Sequence, residues 1–219
     1  ALGGEYKGKV AGTLGDYGVF AFYPNKQITT GEGGMIVTND DGAADFMRAL
    51  RNQGRAPGDT WLQHTHLGYN YRLDEMSAAL GLSQMGRLDE LLQKRAQVAS
   101  WYDTYLAEIE EVTPPLIVSN TTAVSWFVYV IKVAESVDRD RLALLLQEKE
   151  VPVRPYFAPI HLQPYMVEMF GYRKGDYPVT EDLGNCSLAL PFSGSMTEEE
   201  VVTVCQRIAE SIIAAEKSL

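Results

Sequence analysis

The stretch FAFYPNKQITTGEGGMIVTND, Phe20 to Asp40, places one lysine between an apolar run and a loop of Gly and Thr, and then starts a second apolar run. The first run, GDYGVFAFY, is almost continuously apolar and aromatic, the pattern of a strand covered on both faces, and Pro24 closes it because proline cannot donate to a ladder. The second, GGMIVTND, reads as another short buried strand ending in turn residues. Lys26 therefore falls just past a strand end, where α/β folds place their ligands, beside glycines that let backbone approach a bound molecule. Most lysines are solvated surface groups, and that is the competing reading. Apolar surroundings, however, favour a neutral amine, which can attack a carbonyl, so the position points to Schiff-base chemistry.

Working outward, Ala43, Phe46, Met47 and Leu50 follow helical spacing from Asp41 to Arg51. Residues 52–72 form a long loop rich in Gly, Asn and aromatics, and ordered loops of that length are usually functional. From Leu73 through Met76, Leu80, Met85, Leu88, Leu92, Val98 and Tyr102 to Leu106 the apolar spacing suits one long linking helix, with a kink expected near Gly86. Beyond TPPLIVSN the pattern becomes strand WFVYVIKV, helix DRDRLALLLQEKE, strand VPVRPYF, a loop carrying His161, a helix around Leu183, the segment SLALP, and a terminal helix opened by Thr197 with Glu200 as its capping-box partner. The fold class is α/β, with a domain boundary expected near residue 110, dividing the chain into 1–110 and 111–219.

Composition narrows the function. The 219 residues are 46% apolar, enough to bury a core, and carry a net charge of −10, which argues against nucleic acid or an anionic membrane as partner. No run reaches the roughly 18 apolar residues of a membrane span, and the N-terminus lacks a signal-peptide core. Cys186 and Cys205 have no metal-type spacing and fit free thiols in a reducing cytoplasm. No P-loop is present, and Gly31-Glu32-Gly33-Gly34 fails the dinucleotide fingerprint. His64 and His66 supply at most half a metal site, so no metal is expected. Asn70 alone reads as a turn residue, Arg72 as a surface charge and His161 as a structural loop histidine.

Three segments in order, FAFYPNKQITTGEGGMIVTND, LGYNYRLDEMSAALGLSQMGRLDELLQKR and VPVRPYFAPIHLQPYM, resemble the DegT/DnrJ/EryC1/StrS family of pyridoxal-phosphate-dependent nucleotide-sugar aminotransferases. The resemblance covers essentially the whole chain and implies fold type I: the end of the large cofactor domain, then a small α/β domain. It implies that Lys26 condenses with pyridoxal phosphate and moves the proton in amino transfer; family members that dehydrate sugars tend to carry His there. Asn70 matches an asparagine that reaches the cofactor phosphate from the neighbouring subunit of a homodimer. Arg72 matches an arginine that meets the phosphates of the nucleotide-linked sugar, and His161 a histidine near that sugar. Glutamate is the family's usual amino donor.

Two departures from the family pattern stand out. Ala21 occupies a position where the family usually has a phosphate-binding Ser. The chain also begins without Met, inside patterned sequence, and family chains extend far upstream. That upstream part holds a Gly-Thr turn for the phosphate, an aromatic stacked on the pyridine ring and an Asp for its nitrogen. We therefore expect this chain to be the C-terminal portion of the enzyme and inactive alone. The competing expectation is a non-catalytic fragment acting as a binding or assembly module; a cofactor-free lysine lyase would leave Asn70 and Arg72 without a role.

Overall fold

The computed structural model describes residues 1–216. They form two compact units, residues 1–92 with 117–125, and residues 93–116 with 126 onward. In chain order come β1 (Glu5–Tyr6), β2 (Lys9–Val10), β3 (Tyr17–Ala21), β4 (Gly34–Thr38), α1 (Asp41–Arg51) and α2 (Glu75–Met85). Next are α3 (Leu88–Leu106), β5 (Val112–Thr113), β6 (Thr121–Ala123), β7 (Tyr129–Val133), α4 (Arg139–Glu148) and β8 (Arg154–Pro155). A 3-10 turn at Ile160–Leu162 precedes α5 (Pro164–Phe170), α6 (Pro178–Cys186), β9 (Ser187–Leu190) and α7 (Glu198–Ile212).

The first unit is built on β3 and β4, an antiparallel ribbon in which Val19 faces Ile36 and Phe20 faces Met35. A separate sheet of order β2-β1-β6 uses the 117–125 return. Helix α1 begins where Asp40 accepts a hydrogen bond from the Ala43 N–H, which satisfies one of the orphan donors at a helix start. The apolar runs of β3 and β4 suit strands covered on both faces, and without the upstream part of the family chain they are expected to be exposed, as they are: Val19 is 68% exposed and Ile36 49%. Their patterning asks for cover that the described residues do not supply. The single long helix is also resolved as two, α2 and α3, with Gly86 closing α2 as its C-cap.

The second unit holds the core. A four-stranded antiparallel sheet of order β5-β7-β9-β8 presents Tyr129, Ile131 and Val133 on one buried face of β7, the period-2 alternation of a sheet with one covered side. Leu142 and Leu146 of α4, Ile208 and Ile212 of α7, and Val98, Tyr102 and Leu106 of α3 pack in the same cluster. The later turns of α3 belong to that core, and the first compact unit's main segment ends at Leu92. The Tyr102 hydroxyl, sealed in the core, donates to the Pro191 carbonyl at 2.7 Å, as a buried phenol must find a partner. Thr197 and Glu200 form the reciprocal capping box that opens α7.

Candidate functional site

Lys26 lies half-buried on the loop joining β3 to β4, and backbone and side-chain bonds hold that loop from several sides. Phe22 is pinned at its base: its N–H donates to Gly33 O at 2.9 Å, and its carbonyl accepts from Thr30 N at 3.0 Å and Thr29 Oγ1 at 2.9 Å. The Lys26 N–H closes a turn onto Tyr23 O at 3.0 Å. From α2, the Gln84 amide grips Thr29 at both ends, accepting from its N–H at 3.1 Å and donating to its carbonyl at 2.6 Å. From the 117–125 return, Ser125 Oγ accepts from Gln27 Nε2 at 2.5 Å. Gly33 has φ 153°, and a Cβ there would stand 2.4 Å from Thr30 Oγ1, so this turn needs glycine. Gln27, Ile28 and Thr30 are buried. The Lys26 N–H, the Gln27 side chain and the Thr29–Thr30 backbone are thus each tied down, which anchors the loop that carries the amine, as a positioned nucleophile requires.

Asn70 and Arg72 come together. The guanidinium donates to Asn70 Oδ1 from Nε at 3.2 Å and from Nη2 at 3.0 Å, which leaves the Nδ2 end of the amide as a donor. Their loop is tied back onto α1: Tyr69 N donates to Leu50 O at 2.7 Å and Tyr71 N to Arg51 O at 2.8 Å. The close crossing depends on Gly54, with φ 81°, where a Cβ would meet the His66 carbonyl at 1.7 Å. Asp59 staples the loop, and the Thr65 hydroxyl and Ala56 N–H hold its carboxyl below the usual carboxylate range. His64 Nδ1 donates to Gln53 O at 2.7 Å, and His66 packs edge-on against Phe46. Among the described residues no group of three or more His, Cys, Asp or Glu side chains is arranged to hold a metal.

His161 belongs to the second unit, on the 3-10 turn before α5. It is 7% exposed and its Nε2 lies 3.0 Å from Glu181 Oε1. Glu181, in the first turn of α6, is 8% exposed and also accepts from the N–H groups of Gly175 and Tyr177. Burial pushes its carboxyl up, but the Gly175 amide, the His161 hydrogen bond and the Tyr177 amide outweigh it, and the net shift is downward. The carboxylate requires an N–H on Nε2, so Nδ1 carries the acceptor lone pair in the neutral ring. Tyr177 meets the imidazole at 4.7 Å between centroids and Tyr172 at 6.3 Å. These rings, with Tyr156, Phe157 and Met166, line a largely apolar cavity of about 500 Å³ that includes His161. Glu181 escaped the sequence reading, since an acidic residue three positions after the helix-starting Pro178 reads as an ordinary complement to the helix dipole.

The DegT/DnrJ/EryC1/StrS aminotransferase family model matches residues 1–209. The chain belongs to that family. GDP-perosamine synthase from Caulobacter vibrioides is 37% identical over 97% of this chain and 57% of its own length, and the Escherichia coli O157:H7 GDP-perosamine synthase is 35% identical over 96% and 56%. Among solved structures, Helicobacter pylori PseC, an aminotransferase involved in pseudoaminic acid biosynthesis, superposes with TM-score 0.89 at 27% identity, covering 98% of this chain and 58% of that one. This DegT/DnrJ/EryC1/StrS chain therefore spans a little over half the length of the curated relatives it matches. The family's fold agrees with the α/β architecture expected from the sequence.

Proposed function

We propose that this chain is the C-terminal portion of a pyridoxal-phosphate-dependent nucleotide-sugar aminotransferase, and that Lys26 carries its chemistry. The observation that bears most weight is the pinned β3–β4 loop, in which the Lys26 N–H bonds to Tyr23, the Gln27 side chain to Ser125, and Thr29 and Thr30 to Phe22 and Gln84. The residues present fit the cofactor: a primary amine for its aldehyde, and the Asn70 amide whose oxygen Arg72 already occupies, leaving a donor for a phosphate. When bound, pyridoxal phosphate supplies the electron-withdrawing ring through which an amino group changes carbon.

The side chains divide the remaining work. Lys26 holds the cofactor through its amine and, when released, moves a proton at the reacting carbon as a general base and acid. Asn70 donates to the cofactor phosphate of a neighbouring subunit in a homodimer, and Arg72 meets the substrate's phosphates with its planar donor fork. His161, oriented by Glu181, offers its acceptor nitrogen to a sugar hydroxyl. Glutamate is the amino donor, and the reaction takes place in the cytoplasm. We retain the family-based boundary near residue 110 between the large and small domains as part of this reading.

The exposed faces of β3 and β4, together with the 57% coverage of the relatives, support a further point: the 219 residues alone do not turn over. The full-length enzyme with Lys26→Ala should lose amino transfer by several orders of magnitude while still binding pyridoxal phosphate non-covalently. Retained activity in that variant overturns the role given to Lys26.

A further inference from the structure

His161 is given a hydrogen bond to accept from a sugar hydroxyl, yet it is buried. Rings that hide it belong to one short segment, residues 171–177, between α5 and α6. Tyr177 packs edge-on against the imidazole at 4.7 Å and Tyr172 at 6.3 Å, and both line the neighbouring cavity. None of the described residues 164–177 is itself buried: α5 contributes no core side chain, and of the segment after it only Tyr172 is partly covered. A buried histidine and its buried carboxylate partner are thus roofed by a strap that has no core of its own.

The strap's backbone is suited to moving as a piece. Gly171 and Gly175 have φ of 72° and 99°, and a Cβ added at either would meet nothing within 4 Å. Close packing therefore does not call for glycine at these two points; the left-handed backbone does. Around Gly175, the Arg173 N–H donates to Asp176 Oδ2 at 2.8 Å and the Asp176 N–H to Arg173 O at 3.2 Å, which closes residues 173–176 into a compact turn. That turn is fastened to α6 through Glu181, whose carboxylate accepts from the Gly175 N–H at 2.8 and 3.0 Å and from the Tyr177 N–H at 3.3 Å while also holding His161.

We infer that residues 171–177 are a gate over His161, with Gly171 and Gly175 as its flexible points and Glu181 as its latch. Open, the strap uncovers the imidazole and the cavity beside it to an incoming sugar; closed, it shuts that sugar in. Segments with few buried contacts open locally at far lower cost than a core. Here opening breaks the Gly175 and Tyr177 bonds to Glu181 and parts two rings from the imidazole, with no core side chain unpacked. Because one carboxylate both latches the strap and orients His161, closing the gate and presenting the acceptor nitrogen are a single event. What the gate admits rests on the role proposed for His161; that it moves does not.

The test uses full-length enzyme without substrate, read by amide hydrogen exchange and by carbethoxylation of histidines with diethyl pyrocarbonate, both mapped by mass spectrometry. In the parent, amides of 171–177 should exchange on the order of 100-fold faster than those of β7. Gly175→Ala strains the closed strap through its backbone and leaves the His161 and Glu181 side chains in place. It should raise strap exchange and His161 modification together, each roughly 5- to 30-fold. Glu181→Gln, which removes the charge from the latch, should raise strap exchange by about tenfold. Amides of β7 should be unchanged in both; faster β7 exchange in one variant marks unfolding, and the parent comparison and the other variant then decide. Strap exchange no faster than that of β7 in the parent, strap exchange that neither variant moves, or a strap loosened by Gly175→Ala with His161 modification unchanged overturns the gate. None of these measurements reads Lys26 or a bound sugar, so their failure leaves the nucleotide-sugar reading standing, and failure of that reading leaves the gate testable.

Discussion

Nε2 of His161 sits 3.0 Å from Oε1 of Glu181, two buried side chains 20 residues apart, and the same carboxylate gathers the N–H groups of Gly175 and Tyr177. The pair fastens the 3-10 turn before α5 to the first turn of α6, and it fixes which imidazole nitrogen is left to accept a hydrogen bond.

That carboxylate gives a pH dependence with a definite sign. Its folded value lies below the unfolded one of 4.5, so the stability it contributes is fully present above about pH 4.5 and is lost as pH falls through the lower folded value. Urea midpoints taken between pH 7 and pH 3 should fall less steeply for Glu181→Gln than for the parent over the acid limb. Parallel curves would show that the carboxylate is not held as described. Nitrogen-15 shifts of His161 supply an independent reading, with the Nε2–H tautomer expected in the parent and a mixed population in Glu181→Gln.

Burial differs sharply between the units, and truncations should report it. Leu146→Ala and Ile208→Ala remove fully buried side chains from the second unit's core and should each cost about 2–5 kcal/mol. Val19→Ala, on the exposed ribbon, should change stability by roughly 0.5 kcal/mol or less. Urea unfolding followed by the fluorescence of Trp101 and Trp126, which pack against that core, measures the first two. A Val19→Ala cost equal to theirs would mean that β3 is covered.

The exposed ribbon should also govern self-association. Val19 and Ile36 are paired across β3 and β4 and both are exposed, an apolar patch of the kind that drives association. Replacing both, as Val19→Lys with Ile36→Glu, should shift the isolated chain toward monomer in sedimentation velocity at matched concentration. An unchanged distribution would place the sticky surface elsewhere.

The two thiols should separate by reactivity. Cys205 is 4% exposed, and burial pushes its thiol up to about 12, whereas Cys186 is only partly covered. At pH 8 a disulfide reagent should modify one thiol per native chain promptly, mapped to Cys186, and the second only after unfolding. Prompt reaction at Cys205 would show that the core around α7 opens readily.

Much of this was legible in the residues themselves, and the exceptions are informative. Helix α1 matches the Asp41 to Arg51 range read from the spacing of Ala43, Phe46, Met47 and Leu50, because cap, period and end signals all agree there. The Thr197–Glu200 capping box could be read for the same reason. The strands β3 and β4 were legible as strands, and so was their exposure, since an apolar run records the surroundings a segment is built for and the family's upstream part lies outside these residues. Helix α5 went unseen: its seven residues, Pro164–Phe170, are too few to establish a helical period. The His161–Glu181 pair depends on a contact between segments 20 residues apart, which spacing along the chain does not encode.

Lys26 on its pinned loop remains the centre of the proposal, and one measurement reads it directly. Full-length enzyme is incubated with pyridoxal phosphate, reduced with borohydride and digested, and the pyridoxyl-labelled peptide is sequenced. The label should appear on Lys26, in the peptide spanning Phe20 to Asp40, and should be absent from Lys26→Ala. A label on any other lysine of the chain, or one that survives in Lys26→Ala, contradicts the assignment.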